Sequence, residues 1–420
     1  MQNKPMINLP QGWEVKKLEE IANIKGGKRL PKGENLLDNN TKFAYIRVAD
    51  FQDNGTINLQ NIKFINENTY DILKNYKIYD DNLYISIAGT IGKSGIIPKE
   101  LNGAILTENA VKLEYIQNNI SNKFMYFFTL SNIFKTQIQT STKIVAQPKL
   151  AITRLKQIEI PLPSLKEQER IVGILDESFA NIDESIKILE QDLLNLDELM
   201  QSALQKAFNP LKDEAKENYK LPQGWEWKSL GEICFITDGT HKTPNYIKTG
   251  IPFLSVKNIS KGFFDLSDIK YISLEEHNKL IKRAKPEFGD ILICRIGTLG
   301  KAIKISLDFE FSIFVSLGLL KPKIKIISDY LAYFLNSYFI ESWIDNNKVG
   351  GGTHTAKLNL NILEKCPIAL PLLKEQEQIV SYLDELSSNV KNLKQNYQMQ
   401  IKNLQELKKS LLDKAFQGRL

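Results

Sequence analysis

The chain has 420 residues, 42% of them hydrophobic and 25% charged, with 55 Lys+Arg against 49 Asp+Glu and a formal net charge of +6. This is ordinary globular composition, and length alone suggests two to four domains. No apolar run approaches the roughly 18–20 residues that span a bilayer, and the opening MQNKPMINLPQGW lacks the basic-then-apolar form of a signal peptide. The three cysteines, Cys234, Cys294 and Cys366, are odd in number and far apart, which implies neither a disulfide framework nor a thiolate metal cluster. A cytoplasmic protein with no membrane partner, metal or cofactor is the expectation.

In chain order, residues 1–163 read as a first mixed domain with 21 Lys+Arg against 15 Asp+Glu. Short β-type runs, YISIA at Tyr84 and GIIP at Gly95, lie between Gly and Asn turns. A helical stretch over 122–139 precedes the exit IPLPS at 160–164, where proline stops the domain. Residues 164–209 then predict one long helix without proline, with 4 Lys+Arg against 10 Asp+Glu. Its apolar residues recur in steps of three and four: Ile182, Ile186, Leu189, Leu193, Leu196, Met200, Ala203, Ala207. Such a narrow seam suits one partner helix better than a broad core.

Residues 210–371 form a second mixed domain, 22 Lys+Arg against 18 Asp+Glu, with a strand-like DILICRI at Asp290 and a helical stretch over 328–345. Residues 372–420 predict a second long helix, with 8 Lys+Arg against 6 Asp+Glu. Its seam reads Leu383, Leu386, Val390, Leu393, Tyr397, Ile401, Leu404, Leu411. Acidic and basic long helices suit pairing with each other; the alternative is that each lies on its own domain.

The second half repeats the first. LPQGWEVKKLEEI at 9–21 returns as LPQGWEWKSLGEI at 221–233, an offset of 212. AGTIGK at 88–93 returns as IGTLGK at 296–301, and LKEQE with the closing KAF of each long helix also returns, all at an offset of 208. Between these anchors the copies diverge. Two equivalent scaffolds with different surfaces are what a molecule needs to read two different things at a fixed separation.

Each motif has a plain and a functional reading. GTIGK is not a phosphate-binding Walker loop: Ile87 stands where that loop needs its first glycine, and Ala302 in the second copy supplies no hydroxyl. A glycine turn between strands is the expectation, with Lys93 and Lys301 placed to reach a phosphate backbone. The Gly-rich basic loops after the first helix of each domain hold Lys28 and Arg29, and His241, Lys242 and Thr243. Later loops of the same character hold Lys143 and Gln147, and His354 and Lys357. These are solvated turns or contacts to bases and phosphates. Trp13 and Trp225 are expected as core anchors. The chain lacks the Asn-Pro-Pro-Tyr type of run that holds a flipped base, a Gly-x-Gly cofactor loop and the common nuclease pattern. It is expected to carry no catalytic centre.

The repeated LPxGWE, the G-T-x-G-K turn, the IPLPxLKEQE lead into each long helix and the final LLDKAFQGRL together resemble the specificity (S) subunit of type I restriction–modification enzymes. Arg419 departs from the acidic residue common at that place. The resemblance spans essentially the whole chain. It implies an α/β fold of two pseudo-repeated target recognition domains, separated by two long helices that pair as an antiparallel intramolecular coiled coil. It also implies double-stranded DNA as ligand, two S-adenosylmethionine-dependent adenine-N6 methyltransferase (M) subunits as partners, and ATP-dependent restriction–translocase (R) subunits in the full enzyme. The S subunit itself does no chemistry. The other readings are a DNA-reading scaffold of another defence or methylation system, and a self-contained enzyme.

Overall fold

The computed structural model describes residues 9–39, 41–141, 149–208, 223–351 and 356–420. The chain divides into two compact units, residues 1–189 with 398–420 (unit 1) and residues 190–397 (unit 2).

Among the described residues unit 1 carries ten strands: β1 (Glu14–Lys17), β2 (Ala22–Gly26), β3 (Ala44–Ile46), β4 (Lys63–Phe64), β5 (Lys77–Ile78), β6 (Leu83–Ser86), β7 (Ser94–Ile96), β8 (Ala104–Leu106), β9 (Ala110–Tyr115) and β10 (Glu159–Leu162). One antiparallel sheet has the order β2-β9-β6-β7 and a second the order β4-β3-β8-β5, in which β3 and β8 run parallel. β1 pairs with β10, which brings the repeated LPQGW lead beside the proline exit. The strand β6 shows why both faces of the first sheet are covered. Side chains alternate along a strand, and Leu83 and Ile85 join the core packed on the helices, while Tyr84 joins the core against the second sheet.

Unit 2 repeats this plan with β11 (Glu226–Ser229), β12 (Cys234–Asp238), β13 (Ile251–Leu254), β14 (Lys270–Ile272), β15 (Ile291–Cys294), β16 (Ala302–Lys304), β17 (Ser312–Ile313), β18 (Leu317–Pro322) and β19 (Pro367–Leu370). The sheets are β12-β18-β15-β16 and β14-β13-β17, with β11 paired to β19. Along β15, Ile291 and Ile293 face one core and Leu292 and Cys294 the other. Trp13 and Trp225 are half-buried at the rims of their units' cores. The Trp225 Nε1 is buried without a partner among the described residues.

The helical stretches before the proline exits are each broken in two, into Asn122–Leu130 with Asn132–Ser141, and Ser328–Leu335 with Tyr338–Asn347. Ser131 is extended, and its hydroxyl donates to the Phe128 carbonyl and accepts from the Phe134 N–H. That local bonding competes with helix continuation and starts a new helix. Ser337 is extended in the same way.

The two long helices are Leu165–Phe208 and Leu373–Phe416. In unit 1 the segments run antiparallel, since Arg170 donates to the Leu420 carbonyl while Asp183 pairs with Lys408. In unit 2 Asp197 pairs with Lys394, and Ala203 and Leu204 share a core with Leu383. All eight seam residues of the first helix are buried or half-buried. On the second helix the seam slips at Leu393, which is 40% exposed, and Leu412 replaces Leu411 as the buried residue.

The repeated motifs now have physical reasons. Gln168 of the first LKEQE is buried; its amide donates to the carbonyls of Asn119 and Pro163 and its oxygen accepts from the Ser121 N–H. Gln376 does the same in unit 2, donating to Pro371 and accepting from the Ile327 N–H. Each therefore ties the start of a long helix to the N-terminus of its unit's helix pair. The phenylalanines of KAF hold the other ends: Phe416 packs on Phe124 and Phe128 in unit 1, and Phe208 on Tyr330 and Phe334 in unit 2.

Candidate nucleic-acid interface

In both units the first strand of the larger sheet leaves it at a glycine. Gly27 donates its N–H to the Ala110 carbonyl and leaves no room for a Cβ against the carbonyls of Leu106 and Thr107. Gly239 donates to Leu317 and lies equally close to the Ile313 carbonyl. The next N–H, of Lys28 or Thr240, then bonds Leu106 or Ile313. The scaffold thus presents both basic loops from the same corner of the sheet.

The chemistry on that corner differs. In unit 1 Arg29 is 80% exposed at its side chain, and its Nε donates to Glu108 Oε1 at 2.8 Å. Glu108 stands on the turn between β8 and β9 and accepts from the Thr107 hydroxyl at 3.0 Å. Burial pushes the Glu108 carboxyl up, but its bonds to Arg29 and Thr107 outweigh this and hold it below the ordinary carboxylate range. Lys28 is exposed beside the Tyr76 ring, 5.8 Å from its centroid, and its carbonyl accepts from the Tyr45 hydroxyl at 2.8 Å.

In unit 2 the position of Gly26 is taken by Asp238, 1% exposed, with three cationic or polar partners. Arg295 Nη1 and Arg283 Nη2 donate to its two carboxylate oxygens, and His241 Nε2 lies 3.1 Å from Oδ2. Burial pushes this carboxyl up too, and the hydrogen bond from Arg283 with the charges of Arg295 and Arg283 holds it below the ordinary range. Arg295 is buried and also donates to the carbonyls of Leu358 and Val315. It joins three segments at one place: the end of β12, the strand end at 295 and the stretch carrying Lys357.

The expected site residues are therefore partly gathered. Lys242 and Thr243 are exposed on the loop after Asp238, and Lys357 is exposed next to Leu358, with backbone bridges to Ile296 and Val349. Both G-T-x-G-K segments are turns in which the glycines take φ values of +74° to +87°. Lys93 makes an ion pair with Asp53 at 2.8 Å. Lys301 lines a cleft of about 690 Å³ with Lys257, Lys348 and Glu341. Lys143, Gln147 and His354 lie outside the described residues. Sequence reasoning missed Glu108, Asp238, Arg283 and Arg295. Only Arg295 left a signal, as a cation ending the apolar run DILICRI; such a residue needs a buried partner, and nothing in one dimension pointed to Asp238.

Among the described residues no group of His, Cys, Asp and Glu has the arrangement of a metal site. All three cysteines are buried, and burial pushes each thiol up to about 12.

Two stretches, 10–193 and 222–403, match the family model of the type I restriction modification DNA specificity domain. The chain is 26% identical over 440 residues to the type I restriction enzyme EcoBI specificity subunit of Escherichia coli, covering 99% of this chain and 88% of that protein. It shares its fold with a chain from a structure of complex assembly and conformational transition of the type I R-M system. That match has a TM-score of 0.77 at 22% identity, over 98% of this chain and all of the other. A second such neighbour is the HsdS subunit from Thermoanaerobacter tengcongensis, with a TM-score of 0.62 at 22% identity over 98% of each chain.

Proposed function

The chain belongs to the type I restriction–modification DNA specificity family, and on that premise we propose that it reads a two-part double-stranded DNA target, one half-site per recognition domain. The observation that carries this is the shared sheet corner bearing different polar side chains: Arg29 on Glu108 in unit 1, and Asp238 with Arg283, Arg295 and His241 in unit 2. A constant scaffold with variable corner chemistry serves readout, because phosphate contacts position a reader while base-edge contacts specify.

In this reading residues 1–163 and 210–371 are the two target recognition domains, and 164–209 and 372–420 are the helices that set half-site spacing. Lys28, Arg29, Lys93, Lys143 and Gln147 serve the first half-site. Lys242, Thr243, Lys301, His354 and Lys357 serve the second. The chain supplies the address; two M subunits docked on it supply adenine-N6 methylation, and R subunits supply ATP-driven translocation and cleavage. Co-expression with the M subunit, followed by long-read mapping of N6-methyladenine, tests this. A split motif with a fixed gap is expected. Methylation at an undivided motif, or none from a complex that assembles, would overturn the reading.

A further inference from the structure

We propose that each recognition domain reads a G·C pair through one arginine clamped by a carboxylate, Arg29 on Glu108 in unit 1 and Arg283 on Asp238 in unit 2. The inference rests on the DNA-reading function proposed above and adds a base identity to each half-site.

Guanine presents two acceptors, N7 and O6, to the major groove, and the planar fork of arginine meets both at once. A free exposed arginine must first be ordered, whereas a carboxylate on one edge of the guanidinium orders it before DNA arrives. In unit 1 the clamp takes Nε alone, and both Nη groups are without a protein partner among the described residues. In unit 2 Arg283 donates Nε to the Asp238 carbonyl at 3.2 Å and Nη2 to its carboxylate, while the side chain stays 54% exposed. His241 Nε2 lies 3.1 Å from Asp238 Oδ2 and 3.4 Å from Arg283 Nη2. One ring nitrogen cannot donate to the first and accept from the second, and the shorter contact assigns it as a donor to Asp238. Among the described residues Nη1 and the second Nη2 hydrogen of Arg283 then remain for guanine.

The clamp is not a requirement of the scaffold. In unit 1 the places of Asp238 and Arg295 are held by Gly26 and Ile87, yet β2 pairs with β9 as β12 pairs with β18. Buried Arg295 matches the buried Asp238 charge one for one, and Arg283 adds a second cation on the exposed side. β3 faces Leu106 where β13 faces Ile313, which puts Val315 at the place of Glu108. The two units therefore reach one arrangement, an exposed arginine held by a carboxylate at the sheet corner, from residues at non-equivalent positions. Glu108 and Asp238 are positioning residues.

The test is methylome mapping with the full chain and its M subunit, comparing wild type with Arg29→Lys, Arg283→Lys and Glu108→Gln. Lysine keeps the charge and removes the fork. Arg29→Lys is expected to relax one G·C position of the first half-site by roughly tenfold or more, and Arg283→Lys one position of the second, each leaving the other half intact. Glu108→Gln should relax the same position as Arg29→Lys, by less. Unchanged base preference in both lysine variants, or a uniform fall over all positions as a phosphate contact gives, overturns the proposal while the two-part reading stands. A wild-type chain that yields no two-part motif overturns that reading and this inference together. Should Arg283→Lys fail to fold, exposed Arg29 with half-buried Glu108 decides alone.

Discussion

Gln168 and Gln376 show what a repeated pentapeptide is for. Gln168 spends two donors and its acceptor on backbone groups ahead of its long helix, and Gln376 one donor and its acceptor. Gln376→Leu fills the same volume and leaves the Ile327 N–H and the Pro371 carbonyl unpaired, which costs about 1–3 kcal/mol per buried group. Urea unfolding of the variant checks this; an unchanged midpoint would assign LKEQE to something other than anchoring. Asp238 gives the pH counterpart. Its carboxyl lies below the ordinary range in the folded chain, so it adds stability that is complete above that range and is lost as pH falls through the lowered value. Asp238→Asn is expected to flatten the acid limb of a stability–pH profile and to leave its alkaline limb unchanged. At this scale the sequence marked the two corner loops, because glycine and basic residues cluster there. It did not announce the clamps: Glu108 is 79 residues from Arg29, and Arg295 is 57 from Asp238. Partners so distant meet only through sheet pairing, which a local pattern does not encode.

The long helices were the most legible elements, since their three-four spacing survives in burial along the whole first helix. The second helix departs at Leu393, where Lys394 is half-buried instead and pairs with Asp197. Hydrophobic spacing marked the face, and side-chain reach decided which residue covers it. The two kinds of contact differ in worth. Leu383, fully buried, is expected to cost about 2–5 kcal/mol on truncation to Ala. Lys394→Ala, at a partly exposed ion pair, is expected to cost under about 1 kcal/mol. Thermal melts of the two variants should differ by several degrees; equal shifts would mean that charge and not the seam holds the helices. The broken helices were not legible from apolar content, because the bonding that ends each first helix is polar and local: the Ser131 hydroxyl donates to the Phe128 carbonyl, and the Asn336 amide donates to the Ala332 carbonyl.

For the whole molecule, the KAF repeat makes a further expectation concrete. The socket of Phe124 and Phe128 in unit 1 is filled by Phe416, and a chain ending near residue 209 still carries the equivalent Phe208. Two copies of such a fragment can therefore fill each other's sockets. The expected outcome is a homodimer in sedimentation that directs methylation to a symmetric motif; a monomer in the presence of the M subunit would sink it. The anchors have one more consequence, which belongs to heredity. Gln168 and Gln376 make equivalent bonds at one end of each long helix, and Phe208 and Phe416 fill equivalent sockets at the other. The joints of the molecule thus coincide with its near-identical stretches of sequence. A crossover within LPQGWE and LKEQE would move an entire specificity domain and create no new joint. A gene built this way can shuffle its vocabulary one word at a time while its grammar stays constant.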